Sequence, residues 1–427
     1  MRTTVFIRRR STDDFASVDG SALLGIAIVG LLLVAILLSA QFKYVLRSIK
    51  RSSAVYLMLF CFVAIISSVW SEAPDYSLFR ATEILAVMVT AFILMSRYNN
   101  IIDADTAMLR FLLLAALLSL SQRVLSAGFS IHTLHTNTYT VIAGMGFLYA
   151  YGESLVSAGV VRKKLRRWAF IMFLLLAVGT SVGSNISAFI GFLVMIAFAP
   201  VSRRYLVGVA IMVFIIAILW VSGLLEYLLF KTIFAGRSVE KLASLTGRGY
   251  LWEGYFSGIQ ERPIQGYGFA VGARLGHLFG INSTTNTHNG FLDAAVGTGM
   301  LGLSFLLFWL VRHVRDLSYL KKIGCPGCIG MIGASVMVIV NNNSKTIIGG
   351  GFDPTYAAAM ILFAHFHFSV LVPVLNRKEL DRASGGGYKE NALQNVVKTE
   401  KQRNNLLEKA QRNNLLEKTH NSRAARR

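Results

Sequence analysis

An all-α polytopic membrane protein is the fold class this sequence predicts. It should have about eleven (roughly 10–12) transmembrane helices and one large external loop containing a short amphipathic helix. Three observations carry that expectation. Hydrophobic residues fill 54% of the 427 positions and charged residues 15%, where a soluble domain carries about a quarter charged. Apolar runs recur at the roughly 20-residue length that crosses a bilayer. Finally, the only long polar interval between such runs lies over 230–288.

Taken in order, residues 1–21 form a polar arm with Arg2, Arg8, Arg9 and Arg10 and no cleavage site of a signal peptide. Apolar segments follow at about 22–40, 54–70, 81–96, 108–126, 138–157, 168–183, 185–201 and 206–229, giving helices 1–8. The external loop 230–288 comes next, then helices 9–11 at about 289–311, 324–341 and 356–375. A basic cytoplasmic tail, expected to be disordered, covers 376–427; it repeats Gln-Arg-Asn-Asn-Leu-Leu-Glu-Lys at 402–409 and 411–418.

The formal charge of +21 would suit a nucleic-acid binder. Its distribution excludes that class, because Lys and Arg gather in the short connections 43–51, 162–167, 203–204 and 312–322 and in the tail, as membrane orientation requires. Placing these in the cytoplasm puts 71–80, 127–137, 230–288 and 342–355 outside. The same alternation sends the N-terminus outside, against its four arginines.

Smaller features read as structural. Cys61 lies in an apolar run as a small hydrophobe. Cys325-Pro326-Gly327-Cys328 has redox or metal spacing, but no second pair completes a zinc site. His365 and His367 are two apart and point to different sides of a helix, so they read as core histidines. His132 and His135 have no carboxylate beside them, and the segment 342–355 reads as a plain connector.

The external loop concentrates the chemistry. Leu251, Trp252, Tyr255, Phe256 and Ile259 recur at helical spacing until Pro263, so a short amphipathic helix should lie near the bilayer surface. Arg248 falls in its first turn, where unpaired N–H groups and the positive dipole end suit phosphate oxygens. Gly247 and Gly249 leave room for a bulky head group. Pro263, Gly266 and Gly268 should make a tight turn. His288 is the last titratable group before the lipid, apart from Asp293 one turn further in. The bland alternatives are a solvated arginine and a helix-capping histidine, and for Gly299 and Gly302 close helix packing.

Three motifs in order, T-G-R-x-x-L-W at 246–252, P-x-x-G-x-G at 263–268, and His288-Asn289 followed by G-x-x-G at 299–302, resemble the bacterial O-antigen ligase and polymerase superfamily. The pattern is most similar to its exopolysaccharide polymerase (Wzy-type) branch. The stretch Trp70-Ser71-x-x-Pro74-x-x-Ser77-Leu78-x-Arg80 and the His135-Thr136-Asn137 triplet resemble the same family. Asn185 departs from it, because a basic residue is usual near Ser184.

The resemblance implies polymerisation of polyprenyl-diphosphate-linked oligosaccharide repeat units into exopolysaccharide, at the periplasmic face of the bacterial inner membrane. Arg248, Arg80 and Arg274 would hold the diphosphate, and His288 would serve as base to the attacking sugar hydroxyl. No cofactor is expected. A metal route would need clustered carboxylates, and Glu72, Asp75, Glu240, Glu253, Glu261 and Asp353 are scattered singly. Expected partners are the lipid-linked oligosaccharide, membrane lipid, a chain-length regulator and export proteins. Two other readings stand beside this one. One is a ligase passing glycan from the same carrier to lipid A core. The other is a lipid-linked glycan flippase, against which stand the lack of an internal repeat and of a charged pair deep in the spans.

Overall fold

The computed structural model describes residues 20–127, 137–179, 181–200, 248–281, 284, 286–323, 325 and 327–376. The polar arm up to residue 19, His132 and His135, the expected span 206–229, the loop start with Thr246 and Gly247, and the tail repeat lie outside these residues.

The described residues are helical and contain no strand, so the molecule is an all-α membrane protein. In chain order the helices are α1 (Gly20–Leu38), α2 (Phe42–Ile49), α3 (Ala54–Ile66), α4 (Pro74–Met95), α5 (Ile101–Ala127), α6 (Asn137–Val156), α7 (Gly159–Val178) and α8 (Val182–Phe198). After the segment outside the description come α9 (Arg248–Glu261), α10 (Gly290–Lys322), α11 (Cys328–Asn341) and α12 (Pro354–His365). Among the described residues Pro74–Met95, Gly290–Lys322 and Pro354–Asn376 are long and apolar enough to cross a membrane. Ala22–Leu38 and Phe42–Ile49, bent by 90°, make a fourth only if the bent pair is counted as one span. The shorter apolar helices Ala54–Trp70, Val182–Phe198 and Cys328–Asn341 pack among them; the count of about eleven stays an expectation.

Bilayer lipid offers no hydrophobic drive between helices, so close approach is built from small residues. Gly330 of α11 faces the Tyr149 carbonyl and Gly152 of α6 so closely that a Cβ on Gly152 would lie 2.5 Å from the Gly330 Cα. Gly191 of α8 meets the Gly333 carbonyl in the same way, at 2.6 Å. The outward face stays greasy: Leu31, Leu37, Leu118 and Phe170 are exposed.

Several buried polar groups find partners across helices, as a low-dielectric interior favours. Glu153 of α6 accepts from the Gly327 and Gly330 N–H groups at 2.8 Å each and thereby caps α11. Gly327 (φ 84°) and Cys328 of the Cys-Pro-Gly-Cys motif therefore form a helix start, with Cys328 buried against the Leu317 carbonyl. His365 binds Asp105 and Tyr149, while His367 binds Ser48 and packs on Phe92. Both are core histidines.

One span differs from its expected form. The segment read as 289–311 is a short helical limb followed by a break at Gly299 (φ 67°, ψ −169°), after which the helix continues to Lys322. Periodicity alone could not show this, because the break is stabilised from another segment: the Met300 and Leu301 N–H groups donate to the carbonyls of Pro263 and Ile264 at 2.8 and 3.4 Å. Loop carbonyls thus satisfy the orphan donors of the restarting helix.

Candidate active site

Helix α9 begins at Arg248 and ends at Glu261, two residues before Pro263. Tyr255 and Gly258 are its buried positions, and Leu251, Trp252 and Ile259 pack partly against Phe279, Ile281 and Val296. Phe256, expected on the same apolar stripe, is 56% exposed instead. Gly258 takes the inward place because Phe279 lies where a side chain would go. Two residues of the T-G-R-x-x-L-W motif then reach out. The Arg248 Nη1 donates to the Ser344 carbonyl at 2.7 Å, and the Trp252 indole N–H donates to the Thr287 carbonyl at 3.0 Å.

Thr287 is the residue before His288, and it is held at both peptide ends. Its N–H donates to Asp293 Oδ1 at 2.7 Å, opposite the Trp252 contact on its carbonyl. His288 itself adopts a left-handed backbone (φ 58°), a conformation that costs a non-glycine residue about 1–2 kcal/mol. Such strain persists only when surrounding contacts over-determine it. Here its N–H donates to Asn286 Oδ1 at 3.0 Å, and the next residue, Asn289, caps α10 through the Phe291 and Leu292 N–H groups. Asn289 and not His288 is therefore the helix cap. The imidazole is half-buried, and burial, then the nearby Arg248 and Lys345 charges, push its pKa below the ordinary histidine value. Both effects favour the neutral imidazole, the form that can accept a proton.

The 342–355 segment is not a plain connector. Asn341, Asn342 and Thr346 are buried; Asn342 Oδ1 accepts from the Ile347 and Ile348 N–H groups at 2.9 Å, and the Asn342 carbonyl accepts from the Gly290 N–H at 2.8 Å. Thr346 donates its hydroxyl to Asp293 Oδ2. Lys345 lies between Ser344, bound by Arg248, and Thr346, bound to the carboxylate that holds Thr287. Its ammonium pairs with Asp353 at 3.2 Å and donates to Thr138 Oγ1 at 2.7 Å. Burial lowers the Lys345 pKa, and the Asp353 charge works against that. Next to Thr138, Asn137 accepts from Ser181 and Ser184 at the start of α8, while Asn185 donates to the Gly179 carbonyl at 2.9 Å.

Arg80 and Arg274 form a second group around one ring. Their guanidinium carbons lie 5.1 and 5.3 Å from the centroid of Tyr76. Arg80 is paired with Glu83 at 2.7 Å, the two side chains only 12% and 7% exposed. Arg274 is buried on a 3-10 turn at Gly272–Arg274, fixed by the Tyr255 hydroxyl donating to the Ala273 carbonyl at 2.6 Å.

The remaining motif residues build the frame. Trp70 donates its indole N–H to the Gln265 carbonyl at 2.9 Å, and Pro74 starts α4. Ser67 and Ser77 bind the two ends of the Phe269 peptide unit, each at 2.9 Å. Gly266 and Gly268 have φ of 66° and 100°, and the Tyr267 and Gly268 N–H groups donate to the carbonyls of Val296 and Gly297 at 2.9 and 2.8 Å. The P-x-x-G-x-G turn and the G-x-x-G stretch are thus two sides of one joint. A Cβ on Gly299 would strike the Ile264 carbonyl across it, and one on Gly302 would strike Thr298 of its own stretch.

The structure brings Arg248 and His288 together and Arg80 and Arg274 together. The 344–353 strap links the groups: Lys345 faces the first, and Gly351 approaches the Arg80 Cδ. Lys345 and Asp293 are the site residues that sequence reasoning passed over. The signal present was a cluster of Asn, Ser, Lys and Thr between apolar runs, which must find polar partners once buried.

A helical membrane protein with a histidine and cations on a loop joint is the class that fold and site define. Residues 167–307 match the family model described as O-Antigen ligase, a range that holds Arg248, Arg274 and His288. The chain is also 28% identical over 301 residues, 62% of its length, to "Exopolysaccharide production protein ExoQ" of Rhizobium meliloti (strain 1021). The alignment spans 66% of that relative, just under two thirds. Together the two matches support the O-antigen ligase/polymerase superfamily, exopolysaccharide branch.

Proposed function

We propose that this protein is a membrane-embedded, metal-independent glycosyltransferase that polymerises polyprenyl-diphosphate-linked oligosaccharide repeat units at the periplasmic face of the inner membrane. A hydroxyl of the acceptor sugar attacks the anomeric carbon of the donor. The new glycosidic C–O bond forms, the C–O bond to the diphosphate breaks, the hydroxyl proton passes to His288, and polyprenyl diphosphate departs. Arg248 meets the diphosphate with its planar fork of donors, Arg80 and Arg274 extend the cationic surface, and preorganised charge stabilises what develops in the transition state.

The observation that carries this reading is His288 held in a left-handed turn near the Arg248 charge. A base and an anion-binding fork near each other, the fork bound to the strap at Ser344, suit transfer from an anionic leaving group. The relative's exopolysaccharide name supports polymerisation; the family description favours, as the second reading, a ligase acting on the same donor. Deletion of the gene separates them. A polymerase leaves single lipid-linked repeats and no long polymer, whereas a ligase leaves long chains on the carrier, which contradicts polymerisation.

A further inference from the structure

The two segments that carry the site meet at one side chain that belongs to none of the recognised motifs. Asp293 is 7% exposed on the first turn and a half of α10. Its Oδ1 accepts the Thr287 N–H at 2.7 Å, and its Oδ2 accepts the Thr346 hydroxyl. Its own N–H donates to the Asn289 carbonyl at 2.8 Å, which fixes the carboxylate relative to the turn it holds. Against it lies Gly350, where a Cβ would come within 2.9 Å of Oδ2, so the strap closes over the carboxylate at a position without a side chain.

Each neighbour of these contacts is a functional candidate. One peptide after Thr287 stands His288, with its strained backbone; one residue before Thr346 stands Lys345, and two before it Ser344, whose carbonyl holds Arg248 at 2.7 Å. A carboxylate that clamps both segments sets the distance between base and cations. Resting on the reading of the site given above, we propose that Asp293 is the positioning residue of this centre: it locks the His288 turn onto the 344–346 strap, so that base and arginine face a common substrate. Misplacement of a reacting group by about 1 Å costs on the order of 100-fold in rate, and a buried acceptor with two donors leaves little room for such drift.

Three variants in lipid nanodiscs, assayed with a lipid-linked repeat unit and read by NMR of 13C-labelled histidine, test this. The His288 signal is assigned by its loss in His288→Ala. Asp293→Ala removes both contacts and should lower kcat about 100-fold with donor KM within about 3-fold, and displace the His288 signal. Asp293→Asn keeps an acceptor for Thr287 and an amide that can donate to Thr346, so it should recover at least about 10-fold of that loss. Thr346→Val breaks the strap contact alone, should shift the same signal with an intermediate rate loss, and decides the matter if Asp293→Ala fails to fold. An unmoved His288 signal in both Asp293→Ala and Thr346→Val, or an Asp293→Ala loss confined to KM, overturns the proposal. A displaced signal in a protein whose wild type polymerises nothing would sink the polymerase reading while leaving the positioning role standing.

Discussion

At the scale of residues, the environment of His288 explains why an ordinary side chain is held in a costly conformation. Burial disfavours the imidazolium, and the Arg248 and Lys345 charges disfavour it further, so the pKa falls below the usual value near 6.5. A base that works in its neutral form then stays competent as pH drops through that value, and activity is lost only at lower pH. Removing a cationic neighbour relieves the imidazolium and raises the pKa. Arg248→Gln should therefore move the acid limb of the remaining activity to higher pH, and titration of the His288 resonance should follow it upward. A limb that stays in place or moves down would mean that Arg248 does not act on His288. Arg248 and His288 were legible in the sequence because each stands beside a local signal, a helix start and a helix cap. Asp293 and Lys345 were not: their roles depend on contacts with Thr346, 53 positions away from Asp293, and with Thr138, 207 positions from Lys345.

At the scale of elements, the joint between the 263–268 turn and the 297–302 stretch positions everything above it. The turn itself was readable from Pro263, Gly266 and Gly268, since glycine at positive φ is a local property. The break at Gly299 was not, because G-x-x-G inside an apolar run also fits close helix packing, and the partner carbonyls lie more than thirty positions earlier. Gly299→Ala forces a side chain into a positive-φ extended backbone that is essentially restricted to glycine, at about 1–3 kcal/mol, and against the Ile264 carbonyl. The expected result is a thermal midpoint several degrees lower in detergent and loss of polymer formation together, because the loop can no longer cap the restarted helix. Gly249, whose added Cβ meets nothing within 4 Å, serves as control: Gly249→Ala should keep the midpoint. Equal midpoints for the two variants would contradict the joint.

At the scale of the whole molecule, residues in or beside the segments expected outside touch one another. Trp70 reaches Gln265, Thr138 reaches Lys345, and Arg248 reaches Ser344. In the basic connections Ser48 meets His367, Asp316 meets the Ser53 N–H, and Arg51 meets Asn376. The pattern of basic connections carries the expected orientation, because charge asymmetry is a property of composition. The packing of particular helices was not readable, because it is set by shape complementarity at glycine contacts such as Gly152 with Gly330. Orientation predicts that Phe256→Cys, at an exposed position of α9, reacts with an impermeant thiol reagent in intact spheroplasts, and that Lys163→Cys, exposed on α7, does not. The reverse labelling would put the site in the cytoplasm.

The central claim is that Arg248 and His288 act together on a lipid-linked diphosphate donor, and the most direct measurement is single-turnover transfer by purified protein in nanodiscs carrying that donor. Arg248→Lys keeps the charge but loses the two-point planar contact, and should forfeit most of the activity. His288→Ala should bind donor as wild type does and transfer about 100-fold more slowly or worse, as expected for a lost base. Chelator should change neither rate. Full activity of both variants, or abolition by chelator with rescue by a divalent cation, would contradict the account.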